Sequence, residues 1–184
     1  MAIAIGAGFP ILVLFVMYIF GMYTIRNFGW VLLTLVWGAI GFGASYLLNP
    51  RLTDAGLNSL ALVVIFEPLI QQTFAALGVF FVVHRIKIDN IIDGAVYGFA
   101  AGLGYSLSEN IIYALDFPAS DPVVVLLKSF ASTLVYATAS GIVGVVMTQF
   151  YFRHRTNRTM ILLSGLGAAI GYTALFRLLV ANKI

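Results

Sequence analysis

The stretch from Asp93 to Leu115, DGAVYGFAAGLGYSLSENIIYAL, carries the pattern that decides the fold. It is mostly apolar and, at about 1.5 Å per helical residue, long enough to cross the ~30 Å of hydrocarbon in a bilayer. Gly94, Gly98 and Gly102 recur every four positions, which places them on one helix face. The stretch therefore predicts a membrane helix that a neighbouring helix can approach closely.

The composition of the whole chain agrees with this reading. Of its 184 residues 61% are hydrophobic and only 9% are charged, and the mean hydropathy is +1.03. An average soluble domain carries roughly 25% charged residues, so this chain cannot build a water-soluble surface. It has no cysteine, which excludes disulfides, thiolate metal sites and lipidated cysteines. We predict an all-α, polytopic membrane helix bundle in contact with the lipid bilayer.

Charged and Pro/Gly-rich breaks divide the chain into apolar stretches of membrane-spanning length. Six such stretches run over residues 3–24, 28–48, 58–83, 92–115, 122–152 and 159–181. The intervals between them are too short for another domain, so residues 1–184 are predicted to form a single integral membrane domain. Because the apolar pattern does not give way to a polar mature sequence, we expect the first stretch to be retained.

The charged residues between the stretches predict the orientation. One membrane side would receive Arg26, Arg85, Lys87, Arg153, Arg155 and Arg158, and the other Arg51, Lys183, Asp54, Asp116 and Asp121. By the positive-inside rule the first side is cytoplasmic, which leaves both termini outside the cytoplasm. We expect a multi-pass protein of a prokaryotic inner membrane. The basic residues act as topology signals, so no nucleic-acid partner is expected.

Ionisable side chains inside membrane spans are costly unless paired or hydrated, and each is a candidate functional residue. Glu67, Glu109, Lys128 and Arg177 lie within the predicted spans, all within ~6–14 Å of the outer boundary by helical rise. Their shared depth predicts one buried polar cluster. Its expected members are Glu67, Gln71, Tyr105, Glu109, Asn110, Tyr113, Lys128, Tyr136 and Arg177.

Helix periodicity indicates which faces meet. In the fourth stretch the glycine face continues through Tyr105, Glu109 and Tyr113, so close packing leads to the buried glutamate. In the fifth stretch, polar residues share one face that would be costly against lipid and should point into the bundle. They are Lys128, Ser129, Ser132, Thr133, Tyr136 and Ser140.

The cluster has two interpretations from the residues alone. Paired and hydrogen-bonded charges can form a neutral structural network. A hydrolytic site would need a general base together with a metal ion or oriented donors. His84 and His154 both lie in the basic segments on the opposite side, so no metal site is expected beside Glu67 and Glu109. No cofactor is predicted.

The fourth stretch resembles the PrsW family of intramembrane proteases, which are related to CAAX-processing proteases. It has the family's DG-x-VYG start at Asp93 and its aromatic-x-x-x-E-N-x-x-Y end, which runs from Tyr105 to Tyr113. A weaker resemblance extends over residues 60–180. It implies a polytopic helical bundle with an active site inside the membrane.

The family's catalytic positions are only partly matched. Glu109 occupies the glutamate position of the motif that runs from Tyr105 to Tyr113. The resemblance calls for two adjacent glutamates followed by a lysine, where this chain has Phe66-Glu67-Pro68-Leu69-Ile70-Gln71. It also calls for a histidine eight residues after a basic residue, and for small residues four and eight positions further on. In this chain the basic residue is Lys128, the histidine position is Tyr136, and the small residues are Ser140 and Gly144. A further histidine would fall near Ile170 or Gly171.

Three hypotheses about function follow. The chain is a catalytically degenerate PrsW-like protein that serves as a subunit or scaffold, packing its glycine faces against other integral membrane proteins. Alternatively, it is an active endopeptidase that uses Glu67 and Glu109 as catalytic residues. The weakest hypothesis is a small-solute carrier or lipid-binding protein whose polar cluster lines a cavity.

Overall fold

The computed structural model describes residues 2–21, 28–86, 90–119, 121–152 and 158–181, and in these ranges the chain is helical with no strand. Arg26, Lys87, Arg153, His154, Arg155 and Lys183 lie outside the described residues. The helices are α1 (Ala2–Gly21), α2 (Phe28–Asp54), α3 (Ser59–Arg85), α4 (Ile91–Asp116), α5 (Pro122–Phe152) and α6 (Arg158–Ala181). The predicted fold class, an all-α polytopic membrane bundle of about six helices, is confirmed.

Length and hydropathy differ among the helices. Four described helices are long and apolar enough to span a membrane: Phe28–Asp54, Ser59–Arg85, Pro122–Phe152 and Thr159–Ala181. The apolar section of α1 is shorter, Ile3–Ile19. The central helix α4 is not among the four, because its glycines, serines and tyrosines lower its hydropathy. Protein surrounds much of α4, so it does not need a uniformly apolar surface.

The sequence prediction for the end of α2 was wrong. Residues 49–54 were expected to break the chain, but α2 continues through Pro50 to Asp54. Pro50 lacks the N–H that would bond the carbonyl four residues back, yet the helix continues for four more residues beyond it. The turn follows at Gly56, whose φ of +90° favours glycine. The Asn58 side chain then accepts a hydrogen bond from the Leu60 N–H at 2.9 Å and starts α3.

Helix α3 contains a π-helical turn, Leu62–Phe66, directly before Glu67. The Glu67 N–H bonds to the Leu62 carbonyl, five residues back instead of four. Pro68 follows and has no N–H to continue the regular pattern. A π turn rotates the side chains beyond it, and such turns are frequent at functional sites. Here the turn sets the direction in which Glu67 leaves the helix.

Helices α4 and α5 are in close contact along the glycine face of α4. A Cβ atom added at Gly98 would lie 2.1 Å from the Ser140 carbonyl oxygen, and one at Gly102 would lie 2.3 Å from that of Tyr136. At Gly94 it would lie 1.7 Å from the Thr148 hydroxyl. Helix α5 of the same chain therefore covers these glycines, so they are not available to a partner protein.

The opposite side of α4 packs against α2 in the same way. A Cβ at Gly104 would lie 1.8 Å from the Leu35 carbonyl oxygen, and one at Gly38 would lie 1.8 Å from that of Ala101. Backbone therefore approaches backbone on two sides of α4. This places α4 between α2 and α5, and it fixes the position of Glu109, which lies seven residues before the end of α4 at Asp116.

The polar face of α5 points into the bundle, as predicted. Its hydroxyl-bearing residues are at most 1% exposed: Ser129, Ser132, Thr133, Tyr136 and Ser140. Hydrogen bonds to neighbouring helices satisfy several of these hydroxyl groups. Lys128 stands at the start of this face, where α5 leaves the loop after α4.

Candidate functional site

The two buried glutamates are joined by one guanidinium group. Arg177 on α6 donates from Nη1 to Glu67 Oε2 on α3 and from Nη2 to Glu109 Oε2 on α4, the second at 3.3 Å. Arg177 is only 7% exposed. The sequence predicted that these residues share one depth, and the structure brings them into a single ion-pair network that spans three helices.

Lys128 completes the ion pairs. Its Nζ lies 3.3 Å from Glu109 Oε1 and 3.4 Å from Asn110 Oδ1. It also lies 4.4 Å from the centroid of the Tyr113 ring, within the range of a cation–π contact. Each oxygen of Glu109 therefore faces its own cation. The two acids and two bases leave the network formally neutral.

Asn49 is a member of the network that sequence reasoning missed. Its Nδ2 donates to Glu67 Oε1, so α2 also holds this carboxylate and is the fifth helix to contribute to the network. The residue precedes a proline in a polar run, and this run was interpreted as an interhelical break. No local signal marked Asn49, because it lies just beyond the predicted stretch 28–48, at the outer boundary, whereas Glu67 is predicted deeper in the membrane.

Two buried tyrosines form the inner wall of the site. Tyr105 and Tyr136 meet edge to face, with ring centroids 5.6 Å apart. The Tyr105 hydroxyl donates to Ser45 Oγ at 3.3 Å. Tyr136 lies beside Glu109, and the Arg177 guanidinium carbon lies 5.1 Å from its ring centroid. Tyr136 therefore supports both the carboxylate and the cation of one ion pair.

Asn110 links the ion pairs to the helix interface. Its Nδ2 donates at 3.2 Å to both Ser106 Oγ and Ser129 Oγ, and its Oδ1 accepts from Ser132 Oγ at 3.1 Å. Ser129 in turn donates to the Gly6 carbonyl of α1 at 2.7 Å. The Asn110 side chain thus connects α4 with α5 and, through Ser129, with α1.

Gln71, a predicted member of the polar cluster, and its neighbour Gln72 are both buried but differ in their hydrogen bonds. Gln71 is 2% exposed, and neither polar atom of its amide has a hydrogen-bond partner in the described part of the chain. Gln72, which the sequence reasoning missed, donates to Thr173 Oγ1 and accepts from Ser140 Oγ, both at 3.2 Å. No local pattern in the sequence distinguished the two.

A divalent metal ion does not fit the donors of this site. Among the described residues no three His, Cys, Asp or Glu side chains lie close enough together to hold one. Glu67 and Glu109 are directed at Arg177, so a metal ion would have to displace the guanidinium. His84 is near the far end of α3, where its Nδ1 lies 2.9 Å from the Phe80 carbonyl oxygen.

No curated protein and no solved structure matches the chain. Residues 26–184 match the family described as PrsW family intramembrane metalloprotease. The matched range begins just before α2 and contains every helix that contributes to the ion-pair network. The resemblance carried by the α4 motif is thereby confirmed, and the chain belongs to the PrsW family.

Proposed function

We propose that this chain is a PrsW family member without proteolytic activity, which serves as a subunit or scaffold of a membrane complex and needs no metal or other cofactor. The observation that carries the proposal is the Arg177 bridge between Glu67 and Glu109. Peptide hydrolysis needs a free base to activate water and an electrophile or oriented donors at the carbonyl. In this site both carboxylates are engaged by cations.

The residue at the family's histidine position supports the proposal. Tyr136 stands there and is 1% exposed. With a phenol pKa of about 10 in water, tyrosine is a poor base and a poor metal ligand near neutral pH. Tyr136 lies beside Glu109, and its ring packs against the Arg177 guanidinium. The side chain therefore stabilises the ion pairs and leaves no imidazole for chemistry.

The expected partners are other integral membrane proteins. Their contact surface must differ from the glycine face of α4, because α5 covers that face. Helix α6 is the least enclosed of the four helices that qualify as membrane spans, and its described side chains contribute only Ala169, Thr173 and Arg177 to the buried set. Most of its surface is therefore available to lipid or to a neighbouring protein.

The decisive experiment compares proteolysis with complex formation. The chain is isolated from its native membrane in mild detergent and tested against a membrane-bound reporter, in parallel with Glu67→Ala and Glu109→Ala. We expect no cleavage by any of the three and a stoichiometric membrane partner that copurifies with the unsubstituted chain. Glu109→Gln keeps the shape of the side chain, so it is the matched control for loss of folding in Glu109→Ala. Reporter cleavage that either alanine substitution abolishes would establish the endopeptidase instead.

We also propose a prokaryotic inner membrane location with both termini outside the cytoplasm. Arg85 ends α3 on one side of the bundle, and Asp116 and Asp121 flank the loop between α4 and α5 on the other. Because the chain has no cysteine, single cysteines report topology without background. Asp121→Cys should react with an impermeant thiol reagent added outside intact cells, and Arg85→Cys should react only after lysis. The reverse pattern would overturn the orientation.

A further inference from the structure

We infer that the Arg177 guanidinium is the resident cation of the Glu67–Glu109 site, and that its removal opens a divalent metal site which this chain otherwise keeps closed. The inference extends the proposed loss of proteolysis. It concerns what the site binds, so it is tested without any measurement of activity.

The geometry provides the first argument. Glu67 and Glu109 come from different helices, yet each directs an oxygen at a terminal nitrogen of the same guanidinium. Both carboxylates therefore lie within reach of one central cation. Arg177 is 7% exposed and bonds both carboxylates, so its head group occupies the position between them that a metal ion would need. A guanidinium stays charged at any physiological pH, which makes the closure permanent.

The charge balance provides the second argument. Glu67, Glu109, Lys128 and Arg177 sum to zero formal charge, and the pairs are linked through Glu109. Without Arg177 the site keeps two carboxylates and one ammonium, an uncompensated negative charge in the bundle. Carboxylate oxygens are ligands that divalent cations accept readily. A metal ion would therefore restore the balance that the substitution removes.

Tyr136 provides the third argument, because it contacts both Glu109 and the Arg177 guanidinium. An imidazole at this position would face the same point as the two carboxylates. Two glutamates and one histidine make a set of oxygen and nitrogen donors that zinc accepts, with a fourth position left for water. Tyr136→His combined with Arg177→Ala should therefore give a stronger metal site than Arg177→Ala alone.

The test titrates Co²⁺ and Zn²⁺ into purified protein in detergent. We expect the unsubstituted chain to show neither visible Co²⁺ absorption bands nor a thermal shift with Zn²⁺. Tyr136→His/Arg177→Ala should bind one Co²⁺ per chain and melt several degrees higher with Zn²⁺. Adding Glu67→Ala to this variant removes one ligand and should weaken binding by at least about 10-fold. Tyr136→His/Arg177→Lys, which keeps a cation, is the matched control and should bind none.

A second measurement covers the case in which the metal-binding variants fold poorly. Glu67→Gln/Arg177→Ala is formally neutral, so it should melt higher than Arg177→Ala, although it carries one substitution more. The inference is overturned if this double variant is no more stable than the single one, or if folded Tyr136→His/Arg177→Ala binds no Co²⁺. It is equally overturned if the unsubstituted chain binds Zn²⁺ as tightly as that variant. None of these results depends on proteolysis, so they are separate from a failure of the proposed function.

Discussion

Helices α4 and α6 resemble each other in sequence and differ in their surroundings. Both carry glycines four residues apart, and each contributes one charged residue to the ion-pair network. A Cβ at Gly98 of α4 would meet backbone atoms of α5 at 2.1 Å. A Cβ at Gly167 or Gly171 of α6 would meet nothing within 4 Å. The same spacing therefore serves close packing in one helix and leaves an open face in the other.

The comparison shows what holds each helix. Helix α4 is fixed by backbone contacts with α2 and α5, which need no side-chain hydrogen bonds. Helix α6 is joined to the bundle by a single buried face, on which Thr173 bonds Gln72 and Arg177 bonds the two glutamates. Apolar packing does not distinguish lipid from protein in a membrane, so these polar contacts matter more for α6 than their number suggests.

The largest expected effect comes from filling a glycine on α4. Gly98→Leu would force the α4 and α5 backbones apart, since its Cβ overlaps the Ser140 carbonyl oxygen. We expect a loss of more than about 3 kcal/mol, seen as a low yield of monodisperse protein and a lower unfolding midpoint. Gly167→Leu, the matched change on α6, should leave the yield unchanged. Equal losses for both would contradict the contrast between the helices.

Removing the charge of α6 should have the next largest effect. Arg177→Ala leaves two buried carboxylates without their shared cation, which should cost about 3 kcal/mol of unfolding free energy. Denaturant titration in mixed micelles measures this loss. Leu179→Ala, at a position on the same helix that is 57% exposed, is the control and should change little. An Arg177→Ala variant as stable as this control would show that the ion pairs do not hold α6.

The two neighbouring glutamines should respond in opposite directions. Gln72→Met removes the contacts with Thr173 and Ser140 and leaves the buried Ser140 hydroxyl without its acceptor, so it should destabilise the protein by about 1 kcal/mol. Gln71→Met replaces a buried amide that has no hydrogen-bond partner in the described residues, so it should stabilise by a similar amount. Thermal unfolding of both variants tests this. Two destabilised variants would indicate that Gln71 also has a partner.

The smallest expected effect is at the open face of α6. Gly167→Ala adds a methyl group where nothing lies within 4 Å, so the unfolding free energy should change by less than about 0.5 kcal/mol. The matched change Gly102→Ala on α4 would place its Cβ 2.3 Å from the Tyr136 carbonyl oxygen and should be clearly destabilising. Measured side by side, the pair defines how strongly each glycine is constrained.

Much of the fold was predictable because membrane helices are specified locally. A run of apolar residues and its flanking breaks determine where a helix can lie, and the predicted stretch 122–152 coincides with α5. The end of α2 was mispredicted because Pro50 is compatible with either a break or the last turns of a helix. The shared depth of Glu67, Glu109, Lys128 and Arg177 follows from counting along helices, so their clustering could be anticipated.

The partners within the site could not be predicted in this way. Nothing in the sequence near Asn49 indicates that it bonds Glu67, because the π turn and the continuation of α2 together bring them into contact. Gln71 and Gln72 differ by about 100° around the helix axis, and the positions of α5 and α6 decide which of them is paired. The glycine face of α4 predicted a close neighbour but could not indicate that the neighbour is α5.

The sequence by itself therefore determined the membrane helices, the number of charges inside them and the absence of the histidines expected from the family. These properties depend on residue type and on spacing along one helix. The tertiary structure alone decided that Arg177 lies between the two glutamates and that α5 covers Gly94, Gly98 and Gly102. Such contacts join residues far apart in the chain, and they depend on how whole helices rotate and cross.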